Sequence, residues 1–456
     1  MSRQHAPVTP PVVLTLAGSD SGGGAGIQAD LKTIEATGGF GTTAITSTTA
    51  QHTRGVESTY VLPPSEVRAQ CEAVFADFDV QAVKTGMLAT ADIVELATEQ
   101  VQNRTVPSIV DPVMVATSGD RLLDPAAESA YEDLISVATL VTPNADEAEV
   151  LTGIDVSDTE GARTAGERIV EMGANAALVK GGHISGPEVA DVLVTESDVE
   201  TFVHTRVDTE RTHGSGCALS AAIATRLAHG ESLSRAVSFG TELLEQAVRY
   251  GLDVGEGPGT VHHLVDLRNQ AAREPTVEAV HDVVTQLTER DISCLVPEVG
   301  MNVVGATPYA ESPAECAAVE GRITRTLDGV NPNRGVRFEA SSHVARFLLA
   351  AREYEPSYRF AVNCRFDERV KEALDSFEWT VGHYNRSEQP EAVTSVEGST
   401  MQWGAKQAFK GRDSAPVAVY DPGAVGKEPI VKLLAADTTT LVKRVRKLLD
   451  YYAVES

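Results

Sequence analysis

The sequence predicts an α/β chain built as two domains, and three observations carry that expectation. The chain has 456 residues, more than one ordinary hydrophobic core organises. Through about residue 265, short apolar runs rich in β-branched residues alternate with stretches of helical spacing, as strands and helices do in a layered sheet. Near residue 267 the alternation stops in a polar stretch. After Pro275 a new amphipathic helix begins, with Val277, Val280, Val283, Val284 and Leu287 at its apolar positions. Domains are therefore expected over 1–268 and over 280–456, with a polar connector over 269–279.

The first element expected is a buried strand at Val12-Val13-Leu14-Thr15-Leu16-Ala17, feeding the loop Gly18-Ser19-Asp20-Ser21-Gly22-Gly23-Gly24-Ala25-Gly26. This loop lacks the G-x-G-x-x-G spacing of a dinucleotide fingerprint, and the chain contains no G-K-[ST] phosphate-loop sequence. It reads as a substrate-facing loop. Strands follow over 42–50, 82–84 and 108–110, alternating with helices over 64–75 and 91–102. Their ends carry Gln51-His52, Gly86-Met87 and Asp111-Pro112, where active-site loops of such sheets collect.

Asp111 suits a hydrated magnesium ion, or equally a loop carboxylate accepting backbone hydrogen bonds. Asn144 and Glu147 span a helix start after the strand Leu140-Val141; they suit the water shell of Mg²⁺, or an N-cap with an acidic first turn. Lys180, at the end of a strand over 176–179, suits a phosphate or bulk water. The stretch Arg211-Thr212-His213-Gly214-Ser215-Gly216-Cys217 leads into an alanine-rich helix, so successive N–H groups converge at a helix start and bind anions without a side chain. Cys217 in that first turn is expected to be a thiolate, favoured by the helix dipole and a nearby cation.

Composition narrows the function classes. A formal charge of −27, from 38 Lys+Arg against 65 Asp+Glu, argues against nonspecific attraction to nucleic acid or an anionic membrane. The same acidic, lysine-poor balance resembles a protein adapted to high salt. Five cysteines without a C-x-x-C pair suggest neither a disulfide framework nor a cysteine zinc site, and a cytoplasmic protein is expected. Residues 1–11 hold no signal-like apolar segment, and no run approaches the roughly 20 apolar residues of a membrane span. The expected partners are small molecules and further copies of the chain in a homo-oligomer.

Taken together, A-G-S-D-S-G-G-G-A-G-I-Q-A-D, T-A-Q-H-T, D-P-V-M, T-P-N-A-D-E-A, K-G-G-H, T-H-G-S-G-C-A-L-S-A-A and the closing Val261-His262-His263 resemble the hydroxymethylpyrimidine/phosphomethylpyrimidine kinases, members of the ribokinase superfamily. The resemblance covers about residues 10–265. It implies a doubly wound, ribokinase-like α/β/α sandwich, ATP and Mg²⁺, and two successive phosphorylations of a pyrimidine alcohol. By position it implies Asp30, Gln51 and Met87 at the pyrimidine, and Gly214, Ser215, Gly216 and Cys217 at the transferred phosphoryl group. Asn144, Glu147 and Lys180 are implied at the nucleotide, and Asp111 and Glu147 at the metal. The sequence departs from that family's pattern at Ser215, where threonine is usual, and at Thr117, where lysine is common; the second change bears on ATP affinity.

In the remaining chain, strand-like runs lie over 359–363, 416–420 and 430–434, and helices over 341–353 and 438–452. Asn302-Val303, Gly321-Arg322-Ile323, Ser341-Ser342-His343 and Asp421-Pro422-Gly423-Ala424-Val425-Gly426-Lys427 make a distributed polar constellation. Over about 280–452 these residues resemble the archaeal-type thiamine-phosphate synthase domain, the ThiN type, in a second, smaller α/β domain. That resemblance implies condensation of a pyrimidine pyrophosphate with thiazole phosphate, with Arg322 and His343 tied to catalysis. Two other readings stay open: a kinase whose C-terminal domain only senses thiamine phosphates, and a kinase for a related alcohol such as pyridoxal.

Overall fold

The computed structural model describes residues 7–114, 122–123, 125–184, 186–390 and 399–454; Thr117 lies outside them. The chain divides into two compact units, Met1–Leu267 and Arg268–Ser456.

The first unit is built on strands β1 (Val12–Asp20), β2 (Phe40–His52), β3 (Gly55–Val61), β4 (Val80–Thr85) and β5 (Ser108–Val110). It continues through β6 (Leu140–Val141), β7 (Ala176–Val179), β8 (Glu188–Thr195) and β9 (Val199–Thr205). They form one sheet in the order β3-β2-β1-β4-β5-β6-β7-β8-β9. The run from β2 to β7 is parallel throughout, and β3, β8 and β9 add antiparallel edges. β1, β2, β4, β5, β6 and β7 match the expected apolar runs, while the interior strand β8 is not among them. β3 and β9 expose alternate or most side chains, so they carry no continuous apolar signal in the sequence.

Helices cover both faces, as a two-residue side-chain period demands. On β1, Val13 points into a core shared with α1 (Gly26–Ala36), α7 (Ser215–Ala228) and α8 (Leu233–Arg249). Leu14 and Leu16 point into the opposite core, against α2 (Pro64–Asp77), α3 (Ala91–Gln102) and α4 (Tyr131–Ser136). This is the doubly wound α/β/α sandwich that the resemblance implied. Its strand C-termini open on one edge, between β1 and the neighbouring parallel strands, where crossover loops diverge. Two further helices, α5 (Ala145–Thr152) and α6 (Thr159–Glu171), lead from β6 to β7.

Residues 269–279, expected as a polar connector, are helical instead: α9 spans Val265–Ala271 and α10 spans Arg273–Thr288. Pro275 does not delay α10, because it sits in the first turn, where a missing N–H forfeits no intrahelical bond. Thr276 N then closes onto Ala272 O at 3.0 Å.

The second unit contains β10 (Val303–Ala306), β11 (Cys316–Val319), β12 (Ile323–Thr326), β13 (Gly329–Pro332), β14 (Val336–Phe338), β15 (Phe360–Arg365), β16 (Val381–His383), β17 (Ala418–Asp421) and β18 (Ile430–Ala435). Seven of them form a mixed sheet, β14-β11-β10-β15-β18-β17-β16, while β12 and β13 make a separate ribbon. One face packs on α10 and the terminal helix Thr438–Val454 through Val280, Leu287, Leu441 and Leu448. The other packs on α11 (His343–Arg352) and the helix Ser399–Phe409 through Phe347, Leu348, Met401 and Ala405. Among the described residues, no helix is long and apolar enough to cross a membrane.

Candidate active sites

In the first unit the strand ends enclose a cavity of about 750 Å³, lined among others by Gln51, Lys84, Met87, Asp111, Lys180 and Cys217. Asp20, at the end of β1, shapes its glycine-rich rim. Its carboxylate accepts the N–H groups of Gly22, Gly24 and Ala25 at 2.7, 2.9 and 2.7 Å, and His213 Nε2 stands 3.3 Å away. Burial pushes this carboxyl up, but the His213 contact and the Ala25 and Gly22 amides outweigh it and hold the group below the usual carboxylate range. Asp20 was not singled out in the sequence as a functional residue. An aspartate followed by glycines two and four positions on is the local signal of such a folded loop.

The turn into α7 lies against that rim. Gly214 has φ +82°, and a Cβ there would come within 1.9 Å of the Gly24 carbonyl oxygen, so only glycine fits. Of the N–H groups expected to converge, that of Ser215 is taken by the Thr212 carbonyl at 3.1 Å, and Ala218 N closes onto Gly214 O at 2.9 Å. Gly216 and Cys217 remain in the first turn, where the helix supplies no acceptor. The Ser215 N–H is thus engaged within the turn itself.

Asp111, Glu147 and Lys180 converge beside it. Lys180 Nζ lies 3.2 Å from Asp111 Oδ1 and 3.9 Å from Glu147 Oε2. A Cβ on Gly216 would sit 3.2 Å from Lys180 Nζ and 3.5 Å from Asp111 Oδ2, which brings the turn and this cluster within reach of one bound group. Lys180 stays protonated: burial pulls its pKa down, and Asp111 and Glu147 more than restore it. Glu147 is pushed up to about 7, by burial first and by Asp111 as well, against the pull of Lys180. Asn144 and Glu147 form a reciprocal capping box, with Glu147 N to Asn144 Oδ1 at 2.8 Å and Asn144 N to Glu147 Oε2 at 2.9 Å. The cap thus holds the glutamate in place; both residues line the cavity.

Asp30 is not at the cavity surface. It is fully buried behind Lys84, whose Nζ lies 2.9 Å from both carboxylate oxygens, and Thr15 Oγ1 donates to Oδ2 at 2.5 Å. The near contacts of Asp30 are thus with Thr15 and Lys84, and it is Lys84 that lines the cavity. Lys84 stays protonated, because Asp30 outweighs the effect of burial. Lys84 is not singled out in the sequence; a lysine inside the apolar run Ala82-Val83-Lys84 is the local signal that a buried partner exists.

Cys217 is half-buried at the same wall. Its thiol is pushed up to about 12, first by burial and then by Asp30 and Asp111, against the opposing charge of Lys84. The expected thiolate is therefore overturned: the nearby cation is already neutralised by Asp30, and the helix dipole does not offset desolvation. Gln51 and Met87 do face the cavity. The Gln51 backbone is clipped to Ser21, whose Oγ donates to its carbonyl at 2.7 Å and accepts from its N–H at 2.8 Å. Met87 is held by Thr46 Oγ1, which donates to its carbonyl at 2.7 Å, and a Cβ on Gly18 would lie 3.1 Å from its sulfur.

The second unit holds a different arrangement. Arg322 adopts φ +68°, a conformation that side-chain-bearing residues rarely take, and its guanidinium donates to the Val299 carbonyl. His343 begins α11, with Ser342 Oγ 3.2 Å from its Nδ1. Its pKa is lowered by burial and then by Arg346, Arg322, Arg386 and Lys427, so the leading charges acting on it are all cationic. In a chain of net charge −27 this is a local cluster of cations. Arg386 and Lys427 join Arg322 and His343 only through folding, since long stretches of sequence separate them.

Residues 20–262 match the family model for phosphomethylpyrimidine kinase. The chain belongs to that family. Residues 279–447 match the model for thiamine-phosphate synthase ThiN. The hydroxymethylpyrimidine/phosphomethylpyrimidine kinase of Streptomyces coelicolor is 46% identical over 264 residues, covering 58% of this chain and 98% of that protein. The thiamine biosynthesis bifunctional protein ThiED of Geobacter sulfurreducens is 44% identical over 264 residues, covering 58% of this chain and 54% of that protein. The crystal structure of an ADP complex of Bacillus subtilis pyridoxal kinase shares the fold with a TM-score of 0.54 at 32% identity, over 57% of this chain and 99% of that one. This phosphomethylpyrimidine kinase family member thus joins a kinase domain to a thiamine-phosphate synthase domain in a bifunctional thiamine-biosynthesis enzyme.

Proposed function

We propose that the first unit phosphorylates hydroxymethylpyrimidine and then its monophosphate from ATP with Mg²⁺, and that the second condenses the resulting pyrophosphate with thiazole phosphate. The observation that carries the kinase chemistry is the proximity of the turn at Gly216 to the Asp111–Lys180–Glu147 cluster. One phosphoryl group there meets backbone N–H donors and a fixed ammonium together, and phosphoryl transfer depends chiefly on such positioning and charge neutralisation.

Among the described residues no group of three metal-ligating side chains occurs. Two buried carboxylates nevertheless fit Mg²⁺, which keeps several waters and binds through one or two carboxylates plus substrate phosphates. Asp111 and Glu147 would hold it, and when bound it supplies charge neutralisation of the phosphates. The raised Glu147 carboxyl fits this role, since a neighbouring cation restores its ionised form. Gln51 and Met87 hold the pyrimidine edge and face, Lys180 meets the nucleotide phosphates, and Asn144 keeps Glu147 in register. Cys217, a thiol in the resting site, orients the hydroxyl. As the alcohol oxygen bonds to the γ-phosphorus and the bond to ADP breaks, the alcohol proton passes late to an oxygen of the transferred phosphoryl group or to water, so no strong base is needed.

In the second unit the cations around His343 receive pyrophosphate as it departs from the pyrimidine methylene. Arg322 offers a permanent bidentate charge, and His343, whose pKa is lowered by burial and by its cationic neighbours, accepts or passes a proton. The test supplies purified protein with hydroxymethylpyrimidine, ATP, Mg²⁺ and thiazole phosphate, and thiamine phosphate is the expected product. Pyrimidine pyrophosphate without thiamine phosphate, at high and low salt alike, would establish a sensing domain in place of a synthase. Since a pyridoxal kinase shares the fold at 32% identity, pyridoxal belongs in the same assay, and its preferential turnover would overturn the pyrimidine assignment.

A further inference from the structure

The hairpin between β17 and β18 carries Lys427, and its tip is closed by paired bonds: Ala424 N to Lys427 O at 3.1 Å and Lys427 N to Ala424 O at 2.8 Å. The next residue, Glu428, bonds a distant backbone segment. Its two carboxylate oxygens accept the backbone N–H groups of Glu298 and Val299 at 2.8 and 3.1 Å, across 130 and 129 residues of sequence. Val299 is the residue whose carbonyl receives the Arg322 guanidinium. One peptide segment thus has its donors fixed by Glu428 and its acceptor turned onto Arg322.

The other constraints on Arg322 act on its backbone. Ile323 exchanges bonds with Met301 at 2.8 and 2.9 Å, and Arg322 itself sits at φ +68°. Gly300 at φ +86° lets the two segments approach, because a Cβ there would lie 3.1 Å from both Cβ and Cδ of Arg322. The strained backbone directs where the side chain starts, and the Val299 carbonyl directs where it ends. Glu428 secures that carbonyl and at the same time anchors the loop bearing Lys427. At the opposite end of the loop, Asp421 accepts Gly423 N at 2.9 Å and Arg386 Nε, so one end of the hairpin is tied to Arg386 and the other, through the 298–299 segment, to Arg322.

We infer that Glu428 is a positioning residue of the second site, latching the 298–299 segment to the hairpin so that Arg322 and Lys427 are presented together to the pyrophosphate group. It acts through Arg322 and does not touch the ligand. This rests on the synthase reading of the second unit. A bidentate carboxylate between two amides is a charge-assisted arrangement that an amide side chain, with one acceptor oxygen, reproduces only in part.

The experiment measures thiamine phosphate formation by the full chain from supplied pyrimidine pyrophosphate and thiazole phosphate. Wild type, Glu428→Gln, Arg322→Ala and the double variant are compared, with kinase turnover as an internal control. Glu428→Gln should lower kcat/KM by roughly 10- to 100-fold, the range of a lost charge-assisted contact, with kinase turnover and the thermal transitions unchanged. The double variant should lose less than the two single losses combined, because one of the two cations the latch presents is then already gone. Additive losses, or a Glu428→Gln enzyme equal to wild type, would overturn the inference. A loss accompanied by a lowered thermal transition that is additive with Arg322→Ala would show a merely structural role and overturn it too. A wild type that makes no thiamine phosphate would instead overturn the synthase reading.

Discussion

Replacing Lys84 by methionine tests the buried charge that faces the first cavity. The substitution keeps most of the side-chain volume and deletes the ammonium that lies 2.9 Å from both oxygens of a fully buried Asp30, leaving Thr15 as the remaining close partner. Breaking a buried pair by removing one member costs about 3–5 kcal/mol, because the survivor is an uncompensated charge. For a unit of this size that corresponds to a fall of roughly 6–20 °C in its melting temperature. The sign with pH follows from the survivor. Without Lys84, burial acts on Asp30 with little opposition and raises its folded pKa above the ordinary 3.8. The penalty is then absent below the unfolded pKa and grows as pH rises through the raised folded value. Differential scanning calorimetry of the full chain should show a larger deficit at pH 8 than at pH 5. Asp30→Asn added to Lys84→Met should recover much of the loss, since no charge is left to bury. A Lys84→Met deficit below about 0.5 kcal/mol, or one equal at both pH values, would refute the reasoning.

Cys217→Ala should depress phosphorylation while leaving thiamine phosphate formation from supplied pyrimidine pyrophosphate intact; an unchanged kinase rate would remove Cys217 from the chemistry. Gly214→Ala must accommodate a Cβ 1.9 Å from the Gly24 carbonyl oxygen at φ +82°. It should destabilise the first unit by at least about 1–3 kcal/mol and abolish kinase turnover, measured by calorimetry and by ADP release. Glu147, at about 7 in the free site, is increasingly protonated as pH falls below that value. The apparent affinity for Mg²⁺ in the kinase assay should weaken from pH 8 to pH 6, and Glu147→Gln should flatten that dependence.

The sequence alone determined what depends on local pattern. Apolar runs such as Ala176–Val179 and amphipathic stretches such as Ala91–Gln102 appear as strand and helix because burying them admits little else. Ordered motifs such as K-G-G-H and T-H-G-S-G-C were enough to indicate the family, to which residues 20–262 belong. The edge strands β3 and β9 were illegible, since their ladder bonds come from neighbours and their side chains are largely solvent-facing. Tertiary structure alone decided which charges meet: that Lys84 stands between Asp30 and the cavity, that desolvation leaves Cys217 a thiol, and that Glu428 reaches back to Val299. Charge state and aim are set by surroundings assembled from distant segments, and residue type and spacing do not encode those surroundings.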